Sequence, residues 1–157
     1  MSRGVRAVVA LVTLTAVMPL ASCGGGGGNS LRATLTDDGC TCEGDTSPAA
    51  GRFTIDLANK TKFFGAFALA RLSDGKTIND LQPYLEKARR QFAESGTLPA
   101  PPFPGFYEQV VRSGVEAGQN GDLPADLPAG TYALMRFADN LPMWDVYRAA
   151  QLDVTGP

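Results

Sequence analysis

Several stretches of the chain alternate between apolar and polar residues, which is the pattern of a strand that buries one face. Residues 31–36 and 52–58 both alternate in this way. Residues 63–72 are apolar on both faces, which predicts a central strand covered on both sides. Strands are also predicted at 131–137 and 146–154.

Two further segments are less regular. Residues 122–126 fit a short strand at a sheet edge, because Pro124 cannot donate a hydrogen bond to a central ladder. Residues 106–111 fit a strand or a short helix equally well. The cysteines at 40 and 42 follow a turn signal, Asp37-Asp38-Gly39, and are expected to lead into a polar loop.

One segment, residues 77–95, has the periodicity of an amphipathic helix. Thr77 and Asp80 have the spacing of a capping box, and Gly96 is a suitable stop. Pro83 would break a helix interior, so a turn is expected first and regular helix from about Pro83. The apolar stripe is interpreted as core packing and consists of Ile78, Leu81, Leu85, Ala88 and Phe92. One helix among many short strands predicts a mainly β protein, a sandwich with one inserted α-helix.

The first 23 residues have the order of a secretory signal. Arg3 and Arg6 precede an apolar run at 7–18, which is too short to span a bilayer stably. The segment Leu20-Ala21-Ser22-Cys23 resembles the bacterial lipobox, in which cleavage precedes the cysteine and its thiol receives lipid such as palmitate. The alternative is an ordinary signal peptide with a chance cysteine.

The lipobox interpretation predicts three parts of the chain. Residues 1–22 form the signal peptide, 23–30 the lipidated Cys23 with a Gly-rich tether, and 31–157 a single domain. The membrane is then one partner, through lipid at Cys23. The domain is expected on the extracytoplasmic side of a bacterial cell membrane, inner or outer.

Charge and histidine content exclude several functions. The chain has 14 basic and 16 acidic side chains, and loss of Arg3 and Arg6 with the signal peptide leaves a net charge of −4. The basic residues are scattered, so nucleic acid is a poor candidate partner. The chain contains no His, which excludes Ser-His-Asp and Cys-His catalysis and His-based metal sites. We therefore expect a protein that is not an enzyme and carries no cofactor.

Cys40 and Cys42 are the cysteines that remain after lipidation. In an oxidising compartment they are expected to pair as a local disulfide clamp. A reversible redox pair is one alternative. Another is a Cu(I) thiolate site helped by Met135 or Met143.

The order of motifs resembles that of cupredoxin-like domains in bacterial envelope proteins. A strand ends at Asn59, an apolar strand follows, and Leu127-Pro128-Ala129-Gly130-Thr131-Tyr132 introduces a late strand. The opening Thr36-Asp37-Asp38-Gly39-Cys40 also resembles periplasmic iron-uptake lipoproteins. The resemblance spans residues 31–154 and implies a Greek-key cupredoxin-like β-sandwich.

The copper ligands that the resemblance implies do not carry over. The first His belongs where this chain has Lys62-Phe63-Phe64-Gly65, and the Cys belongs at Arg136. Of the remaining ligands, which belong near 142–149, Met143 alone could bind a metal. The resemblance thus implies a fold that has lost blue copper, with Arg136 in an ion pair with Asp139 or Asp145.

Three further residues have candidate roles. Tyr132 is expected to donate a hydrogen bond to a backbone carbonyl and fix the corner before its strand. Met143 and Trp144 lie in a predicted loop and form either a contact surface for a partner or a lid over the core. The predicted role is a binding or interaction module with an envelope protein partner. The alternative is a metal-handling lipoprotein, for Cu(I) or associated with iron uptake, that uses Cys40 and Cys42.

Overall fold

The structure is a computed structural model that describes residues 30–73, 75–99, 103–138 and 145–156. The predictions for residues 1–29, including the signal peptide and Cys23, lie outside the described residues. So do those for Met143 and Trp144. Within the described ranges, no helix combines the length and the apolar character needed to cross a membrane.

Eight strands and one α-helix make up the described fold. The strands in chain order are β1 (Ser30–Thr36), β2 (Gly39–Gly44), β3 (Gly51–Asn59), β4 (Gly65–Leu72), β5 (Tyr107–Val115), β6 (Asn120–Leu127), β7 (Gly130–Ala138) and β8 (Asp145–Val154). A 3-10 turn (Ile78–Leu81) leads into α1 (Gln82–Ser95) between β4 and β5.

The strands form two four-stranded sheets with crossover connections. The first sheet has the order β2-β1-β3-β6, and the second has the order β5-β4-β7-β8. β1 and β3 are parallel, whereas the other strand pairs are antiparallel. The prediction of a mainly β protein, a sandwich of two sheets with one inserted α-helix, is confirmed.

Two apolar cores hold these layers together. The first lies between the sheets and includes Phe53, Ile55, Phe67, Leu69 and Tyr132. The second lies between the outer face of the second sheet and α1, where Leu81 and Leu85 are fully buried. β4 contributes to both cores, which explains why its sequence is apolar on both faces.

The helix prediction is confirmed in detail. The 3-10 turn precedes the regular helix, Pro83 lies in the first turn of α1, and Thr77 and Asp80 form the capping box. Gly96 ends the helix with a φ of 67°, a left-handed conformation that favours glycine.

The structure departs from the predictions in two places. No strand was predicted at Cys40 and Cys42, but both lie in the edge strand β2, which pairs with β1 on one side only. Phe63 and Phe64 were expected inside a buried strand, but β4 begins at Gly65 and both rings are exposed. The cause is Asn59, which holds the backbone of Phe63 in a turn.

Candidate functional site

The cysteine pair, Cys40 and Cys42, lies on the inner face of β2. Cys40 pairs with Leu35 of β1 and Cys42 pairs with Ala33, and both of these β1 residues are buried. The cysteines pack against the core between the sheets but remain partly exposed, because β2 is an edge strand. They are therefore accessible from solvent along the open side of the sandwich.

This open side is where the edges of the two sheets approach each other. β2 lies beside β8, the edge strand of the second sheet. Two backbone hydrogen bonds from β8 and the residue after it join this edge to the segment after β2, from Asp153 N to the Thr46 carbonyl (2.9 Å) and from Thr155 N to the Pro48 carbonyl (2.9 Å). β8 contributes Ala149, Ala150 and Leu152 to the core against which the cysteines pack.

Both cysteines are free thiols in the structure. Residues i and i+2 of an extended strand have Cα atoms roughly 6.7 Å apart, near the upper limit of about 6.8 Å for a disulfide. The predicted disulfide clamp is not formed, and its closure requires a local bend in β2.

The two thiols are electrostatically unequal. A hydrogen bond from the Cys42 thiol lowers the pKa of Cys40, and the positive charge of Arg136 adds to this effect against the opposing effect of burial. The pKa of Cys42 is raised, first by its hydrogen bond to Cys40 and then by burial. Cys40 is therefore the thiol of the pair that ionises more easily.

Arg136 lies on the opposite sheet, and its positive charge acts on Cys40. It lies on β7, between Phe67 of β4 and Tyr147 of β8. It follows Tyr132 and Leu134 at spacings of two, so its side chain is on the face of β7 that points toward the first sheet. Its Nε atom is buried and has no hydrogen-bond partner among the described residues.

The expected ion pair of Arg136 with Asp139 or Asp145 concerns side chains outside the described part of the chain. The guanidinium group of Arg136 lies over the Tyr147 ring, with its central carbon 5.0 Å from the ring centroid. Arg89 of α1 also lies over this ring, at 5.3 Å, and donates a hydrogen bond to the Val146 carbonyl. Tyr147 was not predicted as a site residue, because no pattern in the sequence distinguishes it.

The same end of the sandwich carries an aromatic turn, which we define as residues 60–64. The register places it there, because Ala66 pairs with Phe137 and Leu35 pairs with both Asn59 and Cys40. Phe63 is 55% exposed and Phe64 is 42% exposed. The ring of Phe64 lies directly on Gly114 of β5, where no side chain separates them.

Asn59, which is buried, holds this turn. Its amide nitrogen donates hydrogen bonds to the carbonyls of Phe63 (2.8 Å) and Val115 (2.9 Å). Its amide oxygen accepts hydrogen bonds from the backbone nitrogen (3.0 Å) and the hydroxyl group (2.8 Å) of Thr61. The two exposed phenylalanines are thus presented by a turn whose backbone is fixed from inside the protein.

β7 ends and β8 begins at this same end, where Ala138 and Asp145 pair across the two strands. Met143 and Trp144 lie between these two residues in the sequence. Both Met143 and Trp144 themselves are outside the described residues, so the choice between contact surface and lid stays a prediction.

The described residues do not fit a His₂Cys copper ion. The chain has no His, and Arg136 brings a positive charge to the position where the resemblance implies a thiolate. No group of three or more His, Cys, Asp or Glu side chains that could hold a metal occurs in the described ranges. Met135 cannot assist the cysteine pair, because it is buried in the other core, on the opposite face of β7.

Tyr132 has the structural role that the sequence predicted. Its ring is buried between the sheets, and its hydroxyl group donates a hydrogen bond to the Pro128 carbonyl at 2.8 Å. This bond fixes the corner between β6 and β7. Tyr132 is part of the framework and is separate from the cysteine pair.

No protein-family model and no curated protein matches the chain. Among solved structures, auracyanin B is similar to it with 18% identity and a TM-score of 0.42, over 80% of this chain and 88% of the other. Dithionite-reduced auracyanin from the photosynthetic bacterium Roseiflexus castenholzii has 13% identity and a TM-score of 0.40, over 78% and 98%. The fold class of this chain rests on its own strand order.

Proposed function

We propose that the chain is a lipid-anchored, non-enzymatic module of the bacterial envelope that binds another envelope protein through the end of the sandwich bearing the aromatic turn. The observation that carries this proposal is the exposure of Phe63 and Phe64, at 55% and 42%, on a turn held by the buried side chain of Asn59.

The physical reason is the combination of exposed apolar area with rigidity. Aromatic side chains are enriched among the residues that dominate binding energy at protein interfaces. Binding of a partner over Phe63 costs little conformational entropy in the aromatic turn, because Asn59 and Thr61 already fix the backbone of this turn. The predicted loop with Met143 and Trp144 would enlarge the same surface.

The orientation of the proposed anchor agrees with this role. The tether from Cys23 would join the domain at Ser30, the first residue of β1. The aromatic turn lies near the other end of β1, about 20 Å away along the strand. A domain anchored through Cys23 therefore presents Phe63 and Phe64 away from the membrane that holds it.

Site-specific photocrosslinking tests the interaction. A photoreactive phenylalanine analogue placed at position 63 is expected to capture one envelope protein in the bacterium that produces the chain. The same analogue at Tyr84, which is 43% exposed on α1, is the matched control and should capture none. Phe64→Ser should weaken capture from position 63. Equal capture from both positions, or capture unaffected by Phe64→Ser, would contradict the proposed surface.

Membrane anchoring is tested separately. Cys23→Ser should move the protein from the detergent phase to the aqueous phase of a phase-partitioning experiment and should block signal-peptide processing. Cys42→Ser, which leaves the lipobox intact, should partition like the unmodified chain. If Cys23→Ser changes neither processing nor partitioning, the anchor is not at this residue.

A second candidate function is metal handling, which is favoured by the presence of two adjacent free thiols on one face of β2. Cu(I) prefers soft thiolate ligands, and a bis-thiolate Cu(I) centre has a net negative charge that Arg136 could offset. Titration of the reduced chain with Cu(I) tests this function. One copper bound per chain and lost in Cys40→Ser would support it, whereas no stoichiometric binding would exclude it.

A further inference from the structure

The cysteine pair combines features that a structural clamp does not need. The two thiols are adjacent, free and partly exposed. They lie on an edge strand, where backbone movement breaks no hydrogen bonds on the outer side. A guanidinium group from the other sheet, with a buried nitrogen that lacks a hydrogen-bond partner in the described ranges, supplies positive charge at Cys40.

We infer that Cys40 and Cys42 form a redox-active dithiol that exchanges with disulfides, with Cys40 as the attacking thiol and Cys42 as the resolving thiol. Arg136 acts as a positioning residue that stabilises the Cys40 thiolate. This inference is independent of the proposed interaction surface and of the lipid anchor.

The exchange is balanced by an oxidised partner, which is a protein or a small molecule that carries a disulfide. The Cys40 thiolate attacks one partner sulfur, the partner S–S bond breaks, and the released thiolate takes a proton from water. Cys42 then loses its proton and attacks the Cys40 sulfur, which expels the second partner thiol. The cysteine pair is oxidised by two electrons to a disulfide, and the partner disulfide is reduced to two thiols.

The roles follow from the inequality of the two thiols. Exchange requires a thiolate, and the hydrogen bond from Cys42 together with the charge of Arg136 favours that form at Cys40. Cys42 keeps its proton, because its pKa is raised by the hydrogen bond and by burial. Attack by Cys40 consumes the acceptor of this hydrogen bond, so Cys42 becomes easier to deprotonate only after the first step.

The strand geometry makes the oxidised state reversible. Cysteines two residues apart on a strand lie near the limit of disulfide reach, so closure bends β2 away from its extended form. Strained and exposed disulfides are the ones that thiols reduce readily. A stable clamp at this position would instead need an unstrained separation, which an extended β2 does not provide.

The first experiment measures thiol reactivity in the full mature chain in detergent micelles. Iodoacetamide labelling is followed on the tryptic peptide 33–52, which contains both Cys40 and Cys42 but not Cys23. Between pH 6 and pH 9, Cys40 should be alkylated at least about tenfold faster than Cys42, since each unit of pKa difference changes the thiolate fraction tenfold below both pKa values.

Variants of Arg136 test its role in the same experiment. Arg136→Gln should slow alkylation of Cys40 about three- to tenfold at pH 7 and move its pH profile to higher pH. Arg136→Lys should restore most of the rate, because it keeps the positive charge. Such a recovery would show that the slow rate of Arg136→Gln comes from the lost charge and not from a loss of structure. The matched control is Arg90→Gln, which removes an exposed arginine from α1, leaves the cleavage sites at Arg32 and Arg52 intact and should leave both rates unchanged.

The second experiment measures exchange in buffers of reduced and oxidised glutathione. Peptide 33–52 should convert reversibly between the dithiol and a form lacking both thiol hydrogens. Cys42→Ser should accumulate the mixed disulfide of Cys40 with glutathione, and Cys40→Ser should accumulate little of the corresponding product at Cys42. The inference is overturned by equal alkylation rates, by no intramolecular disulfide at any glutathione ratio, or by equal trapping in the two variants.

Discussion

At the scale of single residues, Tyr132 shows the contribution of one buried hydrogen bond. Tyr132→Phe removes the bond to the Pro128 carbonyl and leaves the ring in the core. We expect the free energy of unfolding to fall by about 1 kcal/mol, the net contribution of a typical neutral hydrogen bond. Urea denaturation monitored by circular dichroism measures this change. An unchanged midpoint would mean that the corner before β7 does not depend on this bond.

Tyr107 of β5 provides the opposite case in the same sheet. Its ring stacks on Phe103 with centroids 4.3 Å apart, but its buried hydroxyl group has no hydrogen-bond partner among the described residues. Tyr107→Phe should therefore be neutral or should raise the free energy of unfolding by up to about 1 kcal/mol near pH 7, because it removes an unsatisfied buried polar group.

The effect of Tyr107 on stability also depends on pH. Burial raises the pKa of Tyr107 to about 12 in the folded chain, despite the opposing charge of Arg112, whereas the ordinary value is 10.0. The folded state then holds more protons than the unfolded state between these two values, so stability falls as the pH rises through this range. The advantage of Tyr107→Phe over the unmodified chain should widen above pH 10, and a constant difference would contradict this.

At the scale of elements, the turn after β3 depends on Asn59. Asn59→Ala removes both donors to the carbonyls of Phe63 and Val115 and both acceptor contacts with Thr61. We expect a loss of about 3 kcal/mol in the free energy of unfolding, because the Val115 carbonyl and the backbone nitrogen of Thr61 lose their hydrogen bonds. Asn120→Ala, at an exposed position at the start of β6, is the control and should cost less than about 0.5 kcal/mol.

The elements also show where sequence patterns are sufficient. α1 was predictable because its cap, its apolar stripe and its terminal glycine all indicate the same segment. The strand character of β2 was not, since an edge strand with a largely solvent-exposed outer face has little apolar alternation. The start of β4 was misplaced because Phe63 and Phe64 continue its apolar run. The side-chain hydrogen bonds of Asn59 and Thr61 separate them from the strand.

At the scale of the whole molecule, the candidate site is a product of topology. Cys40, Cys42 and Arg136 could each be named from the sequence. Arg136, however, follows the two cysteines by about 95 residues and lies on the other sheet. Their proximity depends on the pairing order of eight strands, which no local pattern encodes. By contrast, the sequence already indicates that Met135 cannot assist the cysteine pair. Along β7, Met135 lies on the face opposite to Tyr132 and Leu134, whose side chains point into the core between the sheets.

The two cores also differ in how they join the molecule together. The core between the sheets joins strands from both ends of the chain, whereas the second core attaches α1 to one sheet through few side chains, among them Leu85 and Ala88. The helix region adds polar contacts such as Ile78 N to the Gln151 side chain (3.0 Å). We expect α1 to open locally while both sheets stay folded.

Native-state hydrogen exchange with two matched Leu→Ala variants tests this expectation. Leu69→Ala, in the core between the sheets, should lower the free energy of exchange of β4 and β7 amides by about 3 kcal/mol. It should leave the α1 amides unchanged, because they exchange through an opening that keeps the Leu69 contacts. Leu85→Ala should lower both values, since it destabilises the native state relative to the locally open and the unfolded states alike. If Leu69→Ala also lowers the α1 values by the same amount, the helix and the sandwich unfold as one cooperative unit.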